Sequence, residues 1–204
     1  MVSKVYFVDF KAGKNRRNIL EKIDLLFEES GLGEIFGENE IVAIKTHFGT
    51  WGSTRYLRPV YIRRIVENVK KRGGDPFVTE TCGLGHKERS FAHQVIRVAA
   101  HNGFTLQTIG APIICADGLS GLDGVEIPID GLKLKKAHIA SALAYAHSII
   151  SVAHAKLHRG TGIAGAIKNL GIGAATKLGK AEAHMNERFP QYSREKCTGC
   201  GMCI

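Results

Sequence analysis

EIVAIKTHFGTWGSTRYLRPVYIRRIVENVKKRGGDPFVTET, residues Glu40–Thr81, holds one complete strand–loop–helix–strand unit. Glu40–Lys45 is a near-continuous apolar run, the pattern of a strand buried on both faces of a parallel sheet. Thr46–Leu57 is a polar, glycine-containing loop. Pro59 stands where a first helical turn can accept its fixed φ and missing N–H. Tyr61, Ile62, Ile65, Val66 and Val69 then recur at helical spacing, and Lys70–Gly74 closes the helix with basic residues and glycine. Asp75-Pro76 leads into another apolar strand, Phe77–Thr81.

The same rhythm extends in both directions. Lys4–Phe10 alternates apolar residues and predicts a strand, and Asn15–Glu29 predicts a helix stopped by Ser30-Gly31. After the unit come a loop, Cys82–Lys87, a helix over Glu88–His101 and a short strand over Pro112–Ala116. Gly118–Lys136 predicts a β-hairpin insert turning at Asp130-Gly131. A short helix over Ala140–Ala146 precedes the strand His147–Val152. Ala164–Leu170 predicts another helix, and periodicity is lost after Ala174. The expected fold is α/β: a mostly parallel open sheet with helices on both faces, plus the hairpin insert.

In such a sheet, ligands bind beyond the carboxyl ends of the strands. Three strand ends here carry chemically capable side chains. The first bears Lys45, His47, Thr54, Arg55 and Arg58; the second bears Glu80, Cys82 and His86. The third is HAKLHRGTGIAGAIKNLGIG, residues 154–173, which sets His154, Lys156, His158, Arg159, Lys168 and Asn169 among glycines. Lys45, Thr54, Arg55, Arg58, Lys156, Lys168 and Asn169 are candidate binders of an anionic small molecule. His47, His154, His158 and Glu80 are candidate catalytic groups, as proton carriers or general base. The histidines are also candidate ligands for a divalent metal. His154 and His158 are four apart but lack the glutamate of H-E-x-x-H, and no complete phosphate-loop or dinucleotide motif occurs. Cys82 and Cys115 read as small buried residues.

With 28 Lys+Arg against 19 Asp+Glu the chain carries a net charge of +9, which favours anionic partners. The charges form no block and only 7% of residues are aromatic, which disfavours nucleic acid. No apolar run is long enough to span a bilayer, and the N-terminus lacks a signal-peptide pattern, so a cytoplasmic location is expected. Oligomeric state has no signature in the sequence.

Cys197, Cys200 and Cys203 fall at C-x2-C-x2-C spacing in the last eight residues. Bacterial ferredoxins use that run, followed by a fourth cysteine and a proline, to hold [4Fe–4S] clusters. The fourth cysteine is absent here, so the local ligand set is incomplete.

KVYFVDF, KTHFGTWGSTRYLRPVYIRRIVENVKKRGGDPFVTET, HAKLHRGTGIAGAIKNLGIG and the terminal EKCTGCGMC together resemble the domain-of-unknown-function 362 family, whose members are often labelled iron–sulfur centre proteins. The resemblance implies an α/β domain, here residues 1–190, followed by a ferredoxin-like segment, here residues 191–204, that stops inside its first cluster motif. It implies a [4Fe–4S] cofactor in the intact protein. The expected function is that of a redox protein, a possible oxidoreductase, whose cleft binds an anionic small molecule and which exchanges electrons with a redox partner protein. Two alternatives stand beside it: a non-catalytic electron-transfer or metal-binding module serving a partner enzyme, and a metal-dependent isomerase or hydrolase using the histidines.

Overall fold

Asn18 starts the first helix. Its side-chain oxygen accepts from the N–H groups of Leu20 and Glu21, and Glu21 Oε2 in return accepts from the Asn18 N–H at 2.8 Å. Helix α1 therefore runs Ile19–Glu29. Then follow β1 (Ile41–Lys45), α2 (Pro59–Lys71), β2 (Asp75–Glu80), α3 (Ala92–His101), α4 (Leu106–Ile109) and β3 (Ile113–Cys115). The chain continues through β4 (Gly124–Pro128), β5 (Lys136–Ala140), α5 (Ser141–Ala144), β6 (Ser148–Ser151), β7 (Lys156–His158), β8 (Gly162–Ala164), α6 (Ala166–Gly171) and α7 (Lys177–Met185). The computed structural model describes residues 3–14, 16–85, 88–158, 162–185 and 193–199.

Strands β3, β2, β1 and β6 form one parallel sheet in that order. The chain leaves β1 towards β2 on one side and returns later to β6 on the other. The order therefore reverses between β1 and β6, and an open parallel sheet forms a crevice there, at its carboxyl end.

Successive side chains of a strand point to opposite faces. Val42 and Ile44 of β1 join a large core with Phe27, Ile62, Val66 and Phe104, under the layer of α1 to α4. Ala43 lies on the other face, where Phe77, Ala116, Ala140, Leu143 and Ala174 pack beneath the β4–β5 hairpin, α5 and the segment after α6. The α/β class, the parallel sheet covered on both faces and the hairpin insert all match the expectation from sequence.

Four local differences have physical causes. Lys4–Phe10 forms no strand: Val5, Phe7 and Phe10 are exposed, and an alternating pattern without a paired neighbour leaves its backbone groups unsatisfied by a ladder. The insert pairs Gly124 with Ala140 through Pro128 with Lys136, so Asp130-Gly131 lies within a longer connection rather than making a two-residue turn. Lys156–His158 and Gly162–Ala164, expected outside any strand, form the short antiparallel pair β7–β8. Helix α7 forms where periodicity is lost. It packs on β5, where Thr176 N–H donates to His138 O at 2.9 Å, so tertiary contacts rather than an amphipathic pattern select it. No helix among the described residues is long and apolar enough to cross a membrane.

Candidate active site

The crevice holds a cavity of about 470 Å3. Its walls come from the three strand ends named above and from α6 and α7. Lys45, His47, Arg55, Glu80, His154, Lys156, His158, Lys168 and Asn169 all line it. Thr54 and Arg58 do not; both are exposed, and Arg58 precedes the first turn of α2. His86 and Arg159 lie outside the described residues.

At the base sits a buried ionic centre. Lys45 ends β1, and its ammonium meets three acceptors: Glu80 Oε1 at 2.7 Å, Asn169 Oδ1 at 3.1 Å and Thr46 O at 3.2 Å. Three N–H donors thus find three partners inside the protein. A buried cation is tolerable only when paired and hydrogen-bonded in this way. Asn169 is itself held, donating to Lys45 O at 2.9 Å and to Ser151 Oγ at 3.0 Å. Lys45 is thus held between Glu80 and Asn169, and Asn169 in turn between Lys45 and Ser151. Gly173 closes this corner. A Cβ there would stand 2.3 Å from Asn169 O and 3.1 Å from Lys45 Nζ, so only glycine allows the chain to pass so near.

Glu80 divides its carboxylate. Oε1 takes Lys45 and the Thr81 N–H; Oε2 lies 2.7 Å from His47 Nδ1. Burial alone would push this carboxyl up. The Lys45 charge and the His47 hydrogen bond outweigh it and hold Glu80 well below the ordinary carboxylate range. An ionised carboxylate only accepts, so His47 Nδ1 carries the hydrogen and Nε2 is the nitrogen left for proton exchange.

The opposite wall is cationic. Lys168 contacts His158 Nε2. Loss of solvent, then the Lys168 charge, lowers His158, which suits it to accept from that ammonium. Burial and the nearby Lys156 lower Lys168 in turn. Arg89 and Lys180 also line the cavity. The buried Nε of Arg89 has no hydrogen-bond partner among the described residues. Lys180 donates to Thr81 Oγ1 at 2.8 Å and Ala175 O at 2.6 Å, and burial lowers its pKa. Glu80 is the single carboxylate among the described lining residues, and it is already paired. Reading the sequence missed Arg89, Lys180 and His184. Arg89 follows a strand-end loop and could have been found. Lys180 sits in a segment without periodicity and carried no signal.

Cys82 also lines the cavity, its Sγ 3.7 Å from Cys115 Sγ. The Cys82 thiol, burial and the Asp117 charge together push the Cys115 thiol up. Of the terminal cysteines, Cys197 is exposed, whereas Cys200 and Cys203 lie outside the described residues.

Among families of known sequence pattern, the one described as a domain of unknown function, DUF362, matches residues 42–195 of the 204. No curated protein and no solved structure matches.

Proposed function

We propose that this chain, which belongs to the DUF362 family, binds an anionic small molecule in its cavity and exchanges a proton with it through His47. The observation that carries the reading is the charge balance of the lining. Lys156, Lys168, Arg55 and Arg89 line the cavity beside one carboxylate, Glu80, whose charge is already spent on Lys45 and His47, while Lys180 stands 3.9 Å from Asp117. A concave lining with an excess of positive charge attracts a carboxylate or phosphate. Arg55, Lys156, Lys168 and the Nε of Arg89, without a partner among the described residues, are the groups for that anion. His47 is poised as in an acid–base dyad: Glu80 fixes its tautomer and ring, and stabilises the imidazolium when Nε2 takes a proton.

Binding is tested with inorganic phosphate and with a small dicarboxylate by titration calorimetry. Saturable binding is expected, weakened about 10-fold or more in Lys168→Gln, since one hydrogen bond to a charged group contributes about 1.5–3 kcal/mol. Affinity falls as pH rises, because the anion needs the ammonium form. The fall begins below the ordinary lysine value of 10.5, since Lys168 is lowered. Absence of saturable binding by either probe overturns the reading.

The redox part rests on the tail. Cys197, Cys200 and Cys203 would hold three of the four irons of a cluster whose chemistry is one-electron transfer. A partner protein would supply or take the electrons. The donor set fits three corners only, so no step at His47 depends on it. Anaerobic reconstitution with iron and sulfide should give visible charge-transfer absorbance that Cys197→Ser abolishes. Protein free of iron after reconstitution would remove the redox part and leave the anion-binding part standing.

A further inference from the structure

Behind the cavity wall, two neighbouring strands end in a second cluster. Glu80 of β2 pairs in register with Cys115 of β3. Two residues further on, each chain places another ligand-type residue at the same level: Cys82 after β2 and Asp117 after β3. Cys82 and Asp117 are fully buried, and Cys115 is half-buried. One ligand atom from each of the three lies within 4.8 Å of the others.

We propose that Cys82, Cys115 and Asp117 form a binding site for a thiophilic divalent ion, zinc being the natural occupant. The spacing carries the inference. A tetrahedral zinc with bonds of about 2.3 Å to sulfur and 2.0 Å to oxygen sets its two thiolates about 3.8 Å apart and a thiolate and carboxylate oxygen about 3.5 Å apart. The observed separations are 3.7 Å from Cys82 Sγ to Cys115 Sγ and 3.4 Å from Cys115 Sγ to Asp117 Oδ1. Two of the three separations therefore already match, and the third, from Cys82 Sγ to the Asp117 carboxylate, lies within 4.8 Å.

Two further features suit the site. The Cys82 N–H donates to Asp117 Oδ1 and Oδ2 at 2.9 and 3.1 Å, which fixes the carboxylate beside the sulfurs. Hydrogen bonds of this kind orient metal ligands and raise affinity. Two thiolates and a carboxylate leave one net negative charge on a divalent ion, buried from water. Lys180 Nζ, 3.9 Å from Asp117 Oδ2, supplies the compensating positive charge. Paired thiolates select zinc over magnesium or calcium, which prefer oxygen. Cys82 alone of the three lines the cavity, so the fourth coordination position opens towards it or is taken by the Gly118 carbonyl, 3.9 Å from Cys82 Sγ.

Cobalt(II) is the probe, because its tetrahedral thiolate complexes absorb in the near ultraviolet and visible. The full chain is used with Cys197, Cys200 and Cys203 all replaced by serine and kept reduced, so that the tail contributes no thiolate. One equivalent of cobalt should bind with thiolate charge-transfer absorbance, zinc should displace it, and Cys82→Ser and Cys115→Ser should each abolish it. Cys115 is the less buried of the two, so Cys115→Ser, with its circular dichroism checked, separates lost ligation from lost folding. Zinc should also protect Cys115, the more exposed thiol, from alkylation, read by mass spectrometry in the otherwise unaltered protein. No charge-transfer band at stoichiometric cobalt, or a band that survives both serine variants, overturns the proposal. So does unchanged alkylation in the presence of zinc.

Discussion

Glu80→Gln is expected to lower folding stability by about 3–5 kcal/mol, the usual result of removing one partner of a buried ion pair. Lys45 is 1% exposed at its side chain, and Glu80 is its one ion-pair partner among the described residues. A neutral amide can still accept a hydrogen bond from Lys45 but no longer offsets the charge. Urea unfolding at neutral pH measures the effect, and a loss below about 1 kcal/mol would show the pair is dispensable. The double variant Lys45→Met/Glu80→Leu should recover much of the loss, because apolar replacement of a whole buried pair is often neutral. The acid dependence follows from the same centre. Glu80 is depressed in the folded protein relative to its ordinary 4.5. Its contribution is complete above that value and declines as pH falls below it, when the unfolded chain takes up the proton first. Glu80→Gln should therefore flatten the acid limb of the stability–pH curve.

Asp117→Ala is expected to cost about 2–4 kcal/mol in metal-free protein. Asp117 is fully buried and accepts from the Cys82 N–H with both oxygens and from the Cys115 thiol with one. Alanine leaves the Cys82 N–H without its acceptor, at about 1–3 kcal/mol for a buried donor. It also removes the nearest negative charge to Lys180, which stands 3.9 Å away in a largely buried position. Asp117→Asn keeps an acceptor for the N–H and should recover part of the loss. Denaturant midpoints of the three proteins in the presence of a chelator decide this. Equal stability of the alanine variant and the parent would mean that solvent or another group satisfies Cys82 at no cost.

The two variants probe sites of unequal legibility. Lys45, His47 and Glu80 stand at the ends of two apolar runs, and parallel strands align their ends, so their meeting follows from the pattern of residues 40–81. His154, Lys156 and His158 were visible for the same reason. Their division of roles was not. Nothing in the one-dimensional spacing says that Lys45 uses all three donors within the protein, or that Glu80 splits its oxygens between a lysine and a histidine. Thr54 and Arg58 show the converse. They share the loop with Arg55 but fall outside the lining, because a loop fixes its residues' directions only when folded.

Cys82 and Cys115 mark the limit most clearly. Read singly, 33 positions apart, each is a small apolar filler. They become a cluster with Asp117 because β2 and β3 are hydrogen-bonded neighbours in a given register. A one-residue slip would turn one of them to the other face.

Periodicity, the proline at the head of α2 and the glycine-basic stops needed no coordinates, since each is dictated by local backbone and side-chain geometry. They determine the α/β class, the parallel sheet and the edge of it that gathers the polar side chains. Strand order, register and the packing of α6 and α7 arise from long-range burial, which one-dimensional spacing does not encode. Those contacts decided that α7 exists, that Lys180 and Arg89 join the cavity, and that Lys45 pairs with a carboxylate of the protein itself.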